Sequence, residues 1–129
     1  MKIGIAQINT TVGDLSGNAA LILSAYRALV EGGAELVLTP ELSITGYPPL
    51  DLIFAGDFVE RNLEVLRELH AQVGAVPLLV GFIDRNLTGR GKPFHNAAAF
   101  LVKGREPVRS NNPASIGPYF SINAWLRMS

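Results

Sequence analysis

Glu35-Leu36-Val37-Leu38-Thr39-Pro40-Glu41, residues 35–41, decides how this chain is read. Three aliphatic residues in a row give a short strand buried on both faces. Proline then stops it, because it has no amide hydrogen to continue a ladder. Upstream, Gly32-Gly33 closes a helix, since glycine suits the left-handed residue past a helix end. In that helix Leu15, Ala19, Ile22, Tyr26 and Leu29 recur at spacings of four and three and form one apolar face. Asp14 or Ser16 is its expected cap, after a turn at Thr10-Thr11-Val12-Gly13. Residues 3–8 are the first expected strand.

Downstream, Thr45-Gly46-Tyr47-Pro48-Pro49-Leu50-Asp51-Leu52 is a loop, because its prolines forbid regular pairing. Asp57 is placed to cap a second helix. The apolar face of that helix holds Phe58, Asn62, Val65, Leu66, Leu69 and Val73, with Asn62 the one polar member; Arg61, Glu64, Arg67 and Glu68 fall on the wet side. Strands are expected over 76–83 and 94–102, joined by a polar hairpin loop with turns at Gly89 and Gly91. The order strand, helix, strand, helix, strand, strand predicts an α/β domain with helices packed on its sheet.

The 129 residues suit one domain or a piece of one, and 48% hydrophobic content supports a packed core. Eleven basic and eleven acidic residues cancel, so nothing in the charge balance points to nucleic acid or an anionic membrane surface. The absence of cysteine excludes disulfides, thiolate metal sites and a cysteine nucleophile within these residues, and fits a cytoplasmic protein. Gln7 and Asn9 interrupt the first apolar run too early for a signal peptide, and no apolar run is long enough to span a membrane.

Glu41 is the residue whose position suggests chemistry. It sits where a buried strand gives way to a loop, and ligands in open α/β sheets bind at such strand ends. A carboxylate there can act as a general base if burial raises its pKa. The alternative is architectural: Thr39 caps a helical turn, Pro40 takes its first position and Glu41 favours the positive helix end.

Three groups of residues carry a resemblance to a known family. Met1-Lys2-Ile3-Gly4-Ile5-Ala6-Gln7-Ile8-Asn9, then Val12-Gly13-Asp14-Leu15 and Asn18, resemble the opening of carbon–nitrogen hydrolases of the nitrilase superfamily. Thr39-Pro40-Glu41-Leu42 looks like that superfamily's first catalytic motif. The Gly-Tyr-Pro-Pro-x-Asp-Leu string at residues 46–52 is narrower and is similar to the glutaminase domain of glutamine-dependent NAD synthetases. Asn96-Ala97-Ala98 also matches the family's style. The likeness covers residues 1 to about 105. It implies a partial α-β-β-α sandwich, roughly the N-terminal half of one, with residues 1–108 as part of the hydrolase domain and 109–129 as an irregular tail.

The resemblance also implies a mechanism. In the family a cysteine thiolate attacks the side-chain amide of glutamine, a glutamate takes the thiol proton and passes it to departing ammonia, and a lysine stabilises the oxyanion. Glu41 matches the glutamate, and Tyr47 is placed to wall the substrate pocket. The nearest register sets Arg109 at the lysine and Pro113 at a motif proline, with Asn112 and Ser115 replacing a leucine and a tyrosine. The lysine role is not carried to Arg109, because a planar guanidinium does not sit where an ammonium does. No cysteine matches the nucleophile, and neither Ser121 nor Ser129 has a neighbouring base pattern to replace it.

Other sites are weaker. His70 reads as a surface residue and His95 as the start of a strand, neither with a second ligand at metal spacing. Gly89-x-Gly91 opens no helix and is no phosphate cradle. Cofactors are none for this chain; ATP and magnesium are implied for a C-terminal synthetase domain, with glutamine as substrate and a homo-oligomeric parent. The alternatives are a piece of a stand-alone amidase or nitrilase, and a non-catalytic truncated product. From Arg109 on there is no acidic residue and no clear periodicity, so the tail reads either as an ordinary loop or as sequence translated out of frame.

Overall fold

The computed structural model describes residues 1–111. Of the expected tail, residues 112–129, with Asn112, Pro113, Ser115, Ser121 and Ser129 among them, lie outside the described residues. The elements run β1 (Ile3–Ile5), α1 (Leu15–Glu31), β2 (Leu36–Leu38), a 3-10 turn (Leu50–Phe54), α2 (Phe58–Gln72), β3 (Leu78–Arg85), β4 (Phe94–Leu101) and β5 (Val108–Asn111). They form one five-stranded sheet in the order β1-β2-β3-β4-β5. The first three strands are parallel, and β4 and β5 continue antiparallel.

The mixed α/β reading holds, with one strand added. A boundary after residue 108 falls inside β5, which pairs Phe100↔Val108 through Ala97↔Asn111. Four residues with one aliphatic side chain carry too little alternation to announce a strand; the ladder with β4 makes it one. β1 ends at Ile5, earlier than expected, although Ala6 N still donates to Leu38 O at 2.8 Å. β3 begins past Pro77 and runs to Arg85, consuming the start of the expected hairpin loop.

Helix ends follow local chemistry. Asp14, not Ser16, caps α1: its Oδ1 accepts from Gly17 N at 3.1 Å. The left-handed residue past its end is Gly33 (φ +97), since Gly32 keeps φ −76. Asp57 occupies the cap position of α2 but makes no side-chain cap bond, so its contribution is its charge near the positive helix end.

The register sorts side chains onto two faces. Val37, Leu78, Val80, Phe82, Ala97, Ala99 and Leu101 share one face and are each no more than 1% exposed. Gly4 lies on this face against Leu29 of α1, and the two helices touch each other over it. All six expected residues of the α2 face are buried, and Val59 and Leu63 join them. Ala19 and Leu29 of α1 are only partly buried, while Asn18, absent from the expected face, is 1% exposed. On the opposite sheet face Ile3, Ile5 and Val108 are exposed, with Leu38, Leu79 and Phe100 partly so.

The edge of β3 that faces β2 outruns it, and this creates the space for a site. The carbonyls of Leu79, Gly81 and Ile83 accept in turn from Thr39 N (3.0 Å), Ile44 N (3.2 Å) and Asn62 Nδ2 (2.7 Å). Asn62 Oδ1 also accepts from Ile83 N at 3.0 Å. The buried amide thus replaces a strand where β2 has ended, which explains one polar residue on an otherwise apolar helix face. Without it, two buried backbone groups would be left unpaired, each costing about 1–3 kcal/mol.

Candidate active site

Glu41 sits on a short segment tied down on both sides. Thr39 is fixed by its backbone bond to Leu79 and by Oγ1, which donates to Leu79 O at 3.1 Å and lies 2.8 Å from Ser43 Oγ. Ile44 is fixed by Gly81 O on one side and by Asn18 on the other, where Nδ2 donates to Ile44 O at 2.9 Å. Asn18 also exchanges two 2.8 Å bonds with the backbone of Thr11, so one buried amide joins the loops after β1 and β2.

Between these anchors the chain passes directly over Gly81. A Cβ built there would lie 2.5 Å from Leu42 N, 2.9 Å from Pro40 O and 3.1 Å from Glu41 C. Leu42 adopts φ +49, a left-handed conformation that ordinary side chains rarely take. Such geometry persists only where surrounding contacts impose it, and it clusters at functional sites.

The result points the Glu41 side chain along the sheet face opposite the helices. There it meets Asn96 of β4, whose Nδ2 donates to Glu41 Oε1. The register Ile83↔Asn96 places Asn96 on that face. Glu41 is half-buried rather than projecting into bulk water. Burial pushes its carboxyl above the ordinary value, and the Asn96 amide, which favours the charged form, pulls it part of the way back. A half-buried carboxylate of raised basicity, fixed at one oxygen, can accept a proton from a neighbouring group.

The folded-state pKa of Glu41 lies above its unfolded value, so the native state holds the proton more readily. Its stability contribution is therefore greatest below the unfolded pKa and is lost as pH rises through the folded one. Glu41→Gln keeps an acceptor for Asn96 and removes the buried charge. The variant is expected to melt at higher temperature than the parent at pH 7, with the difference vanishing in acid. Paired melting curves across pH check this, and a variant less stable at neutral pH contradicts it.

The other sequence candidates are dispersed. Tyr47 follows Gly46 in the loop and is 54% exposed. Arg109 is on the opposite sheet face: its register partner is Ala99, its Nη1 lies 3.3 Å from Asp84 Oδ1, and its guanidinium stands 5.8 Å from the Phe82 ring centre. It neither shares a face with Glu41 nor aims toward it. His70, expected on the surface, is partly buried with Nε2 3.2 Å from Val102 O. His95 is 7% exposed, and neither ring nitrogen finds a partner among the described residues. No three metal-ligating side chains converge among the described residues. Among them, too, no helix is long and apolar enough to cross a membrane. Asn96 is the residue that sequence reading missed as part of the site. Its signal was there, in the Asn-Ala-Ala motif, but nothing in the motif named Glu41 as its partner.

The carbon–nitrogen hydrolase family profile matches residues 2–112. The chain belongs to the carbon–nitrogen hydrolase family. Within this carbon–nitrogen hydrolase segment, relatives include the glutamine-dependent NAD(+) synthetase of Thermotoga maritima, 34% identical over 106 residues, which are 81% of this chain and 18% of that protein. The glutamine-dependent NAD(+) synthetase of Synechocystis is 40% identical over 107 residues, 80% of this chain and 19% of that protein. The chain thus spans about a fifth of the length of these curated relatives. Among solved structures, the glutamine-dependent NAD(+) synthetase of Cytophaga hutchinsonii superimposes with a TM-score of 0.69 at 28% identity, covering 78% of this chain and 17% of that one. An amidase of the nitrilase superfamily from Nesterenkonia, as its cysteine-to-alanine mutant, gives a TM-score of 0.70 at 24% identity, covering 92% and 45%. That likeness establishes the shared fold.

Proposed function

We propose that this carbon–nitrogen hydrolase chain is the N-terminal part of the glutaminase domain of a glutamine-dependent NAD synthetase. The intact protein hydrolyses glutamine and passes the ammonia to an ATP-dependent amidation of deamido-NAD. The observation that carries the reading is the half-buried Glu41 carboxylate, raised in basicity and fixed beside the end of β2. Glu41 is the general base of the amide hydrolysis. It takes the proton of a cysteine thiol and returns it to departing ammonia. Tyr47 walls the glutamine pocket. The Gly-Tyr-Pro-Pro string and the NAD synthetase relatives favour this reading over a stand-alone amidase.

The nucleophile and the oxyanion-stabilising lysine are supplied by sequence beyond this chain, as is the synthetase domain that uses ATP and magnesium. The apolar sheet face bearing Ile3, Ile5 and Val108 is where the rest of the sandwich packs. Past β5 and residue 112, where the family match ends, the remaining sequence is the part read out of frame. Alone, the chain has no thiol to acylate and turns over no glutamine.

Reading the flanking coding DNA in all three frames tests the proposal. A lysine motif, a later cysteine and a synthetase domain are expected, and the protein expressed from that DNA should form NAD with either glutamine or ammonium. Amide hydrolysis without NAD formation would instead establish the amidase reading. Recovery of neither motif would leave the truncated, non-catalytic product.

A further inference from the structure

Glu41 and Asn96 are 55 positions apart in sequence, yet each is held by backbone that cannot drift. Glu41 is clamped between Thr39 and Ile44. Asn96 lies within an eight-residue strand paired to β3 along its whole length, directly ahead of the buried run Ala97, Ala98 and Ala99. Their one bond engages Nδ2 and Oε1 and leaves Oε2 out.

We propose that Asn96 is a positioning residue for the Glu41 base: it ties down Oε1 so that proton exchange takes place at Oε2. The inference rests on the assignment of Glu41 as a base. A carboxamide suits the task because it does not titrate. When Glu41 takes a proton on Oε2, Oε1 becomes a carbonyl oxygen and can still accept the Asn96 bond. The carboxyl group therefore keeps its orientation in both protonation states, so proton uptake and release need no side-chain rotation. A cationic partner would hold the group as well, but it would favour the ionised form strongly enough to weaken the base. The amide opposes burial more gently. Aspartate at 96 would do the reverse, because two close carboxylates cannot both ionise freely.

The test is a carboxyl-carbon NMR titration of the full chain with labelled glutamate, Glu41 being assigned by the Glu41→Gln spectrum. In Asn96→Leu the proton affinity of Glu41 should rise about threefold or more, as loss of one hydrogen bond to a charged group requires. In Asn96→Asp it should rise further, with a two-step curve. Backbone amide spectra of β3 and β4 report whether the sheet is intact. An intact sheet with Glu41 titrating as in the parent overturns the proposal. If Asn96→Leu disturbs the sheet, the closely isosteric Asn96→Asp decides alone: a Glu41 curve superimposable on the parent's overturns the proposal. The readout needs neither nucleophile nor turnover. A negative result therefore removes the role of Asn96 and leaves the glutaminase reading to the flanking DNA.

Discussion

Gly81→Ala is expected to destabilise the chain by more than about 3 kcal/mol and to separate Glu41 from Asn96, although alanine is ordinarily the better strand residue by about 0.5–1 kcal/mol. The reason is close approach alone. Gly81 is in the middle of β3 and is not among the glycines with positive φ, so its backbone would accept a side chain. The three atoms that a Cβ would meet, at 2.5–3.1 Å, all belong to the backbone of residues 40–42. None is the far end of a side chain that could swing aside. Thr39 and Ile44 are bonded to β3 itself, so the crossing segment cannot rise without breaking one of those bonds. Gly89→Ala is the control. Its φ of +74 imposes strain, but a Cβ there meets nothing within 4 Å. That variant should lose only about 1 kcal/mol. Urea unfolding of the two variants gives the comparison, and the side-chain amide signals of Asn96 report whether Glu41 has moved. A Gly81→Ala loss no larger than the control would mean that the loop is not held where the structure puts it.

That the loop crosses β3 could not be read from the sequence, whereas the elements it joins could. The strand stopped by Pro40, the helices and the position of Glu41 at a strand end all follow from local rules: aliphatic runs, three-and-four spacing, and the missing proline amide. Those rules work because each compares residues only a few positions apart. Asn62 shows where they stop. The sequence marks it as the polar intruder on an apolar face, but its purpose appears only when β3 is seen to outrun β2. Asn96 and Gly81 are of the same kind. Each matters through a segment 39 or more positions away, and neither residue type announces that partner. β5 failed for a different reason: its four residues carry too weak a pattern, and only pairing with β4 defines them. Arg109 is instructive in the opposite sense. The nearest register set it at the family's lysine, whereas its ladder with β4 places it on the sheet face away from Glu41.

In the proposed NAD synthetase, Glu41→Gln is expected to reduce glutamine-dependent NAD formation by about 10²–10⁴-fold while leaving ammonium-dependent formation unchanged. Glutamine preserves the size of the side chain and can still accept from Asn96, so the loop should stay in place. What disappears is the ability to hold a proton, which the proposed mechanism needs twice, once when the thiol attacks and once when ammonia leaves. The second substrate provides the internal control. Ammonium bypasses amide hydrolysis, so a fall in both rates would indicate a folding defect or a changed domain interface rather than a lost base. The pH profile adds an independent check. Without the base, attack depends on thiol that has ionised by itself, so residual glutamine activity should climb with pH toward the thiol's own range. A loss smaller than tenfold, with a profile like that of the parent, would assign the proton to another group and reduce Glu41 to the end of a strand.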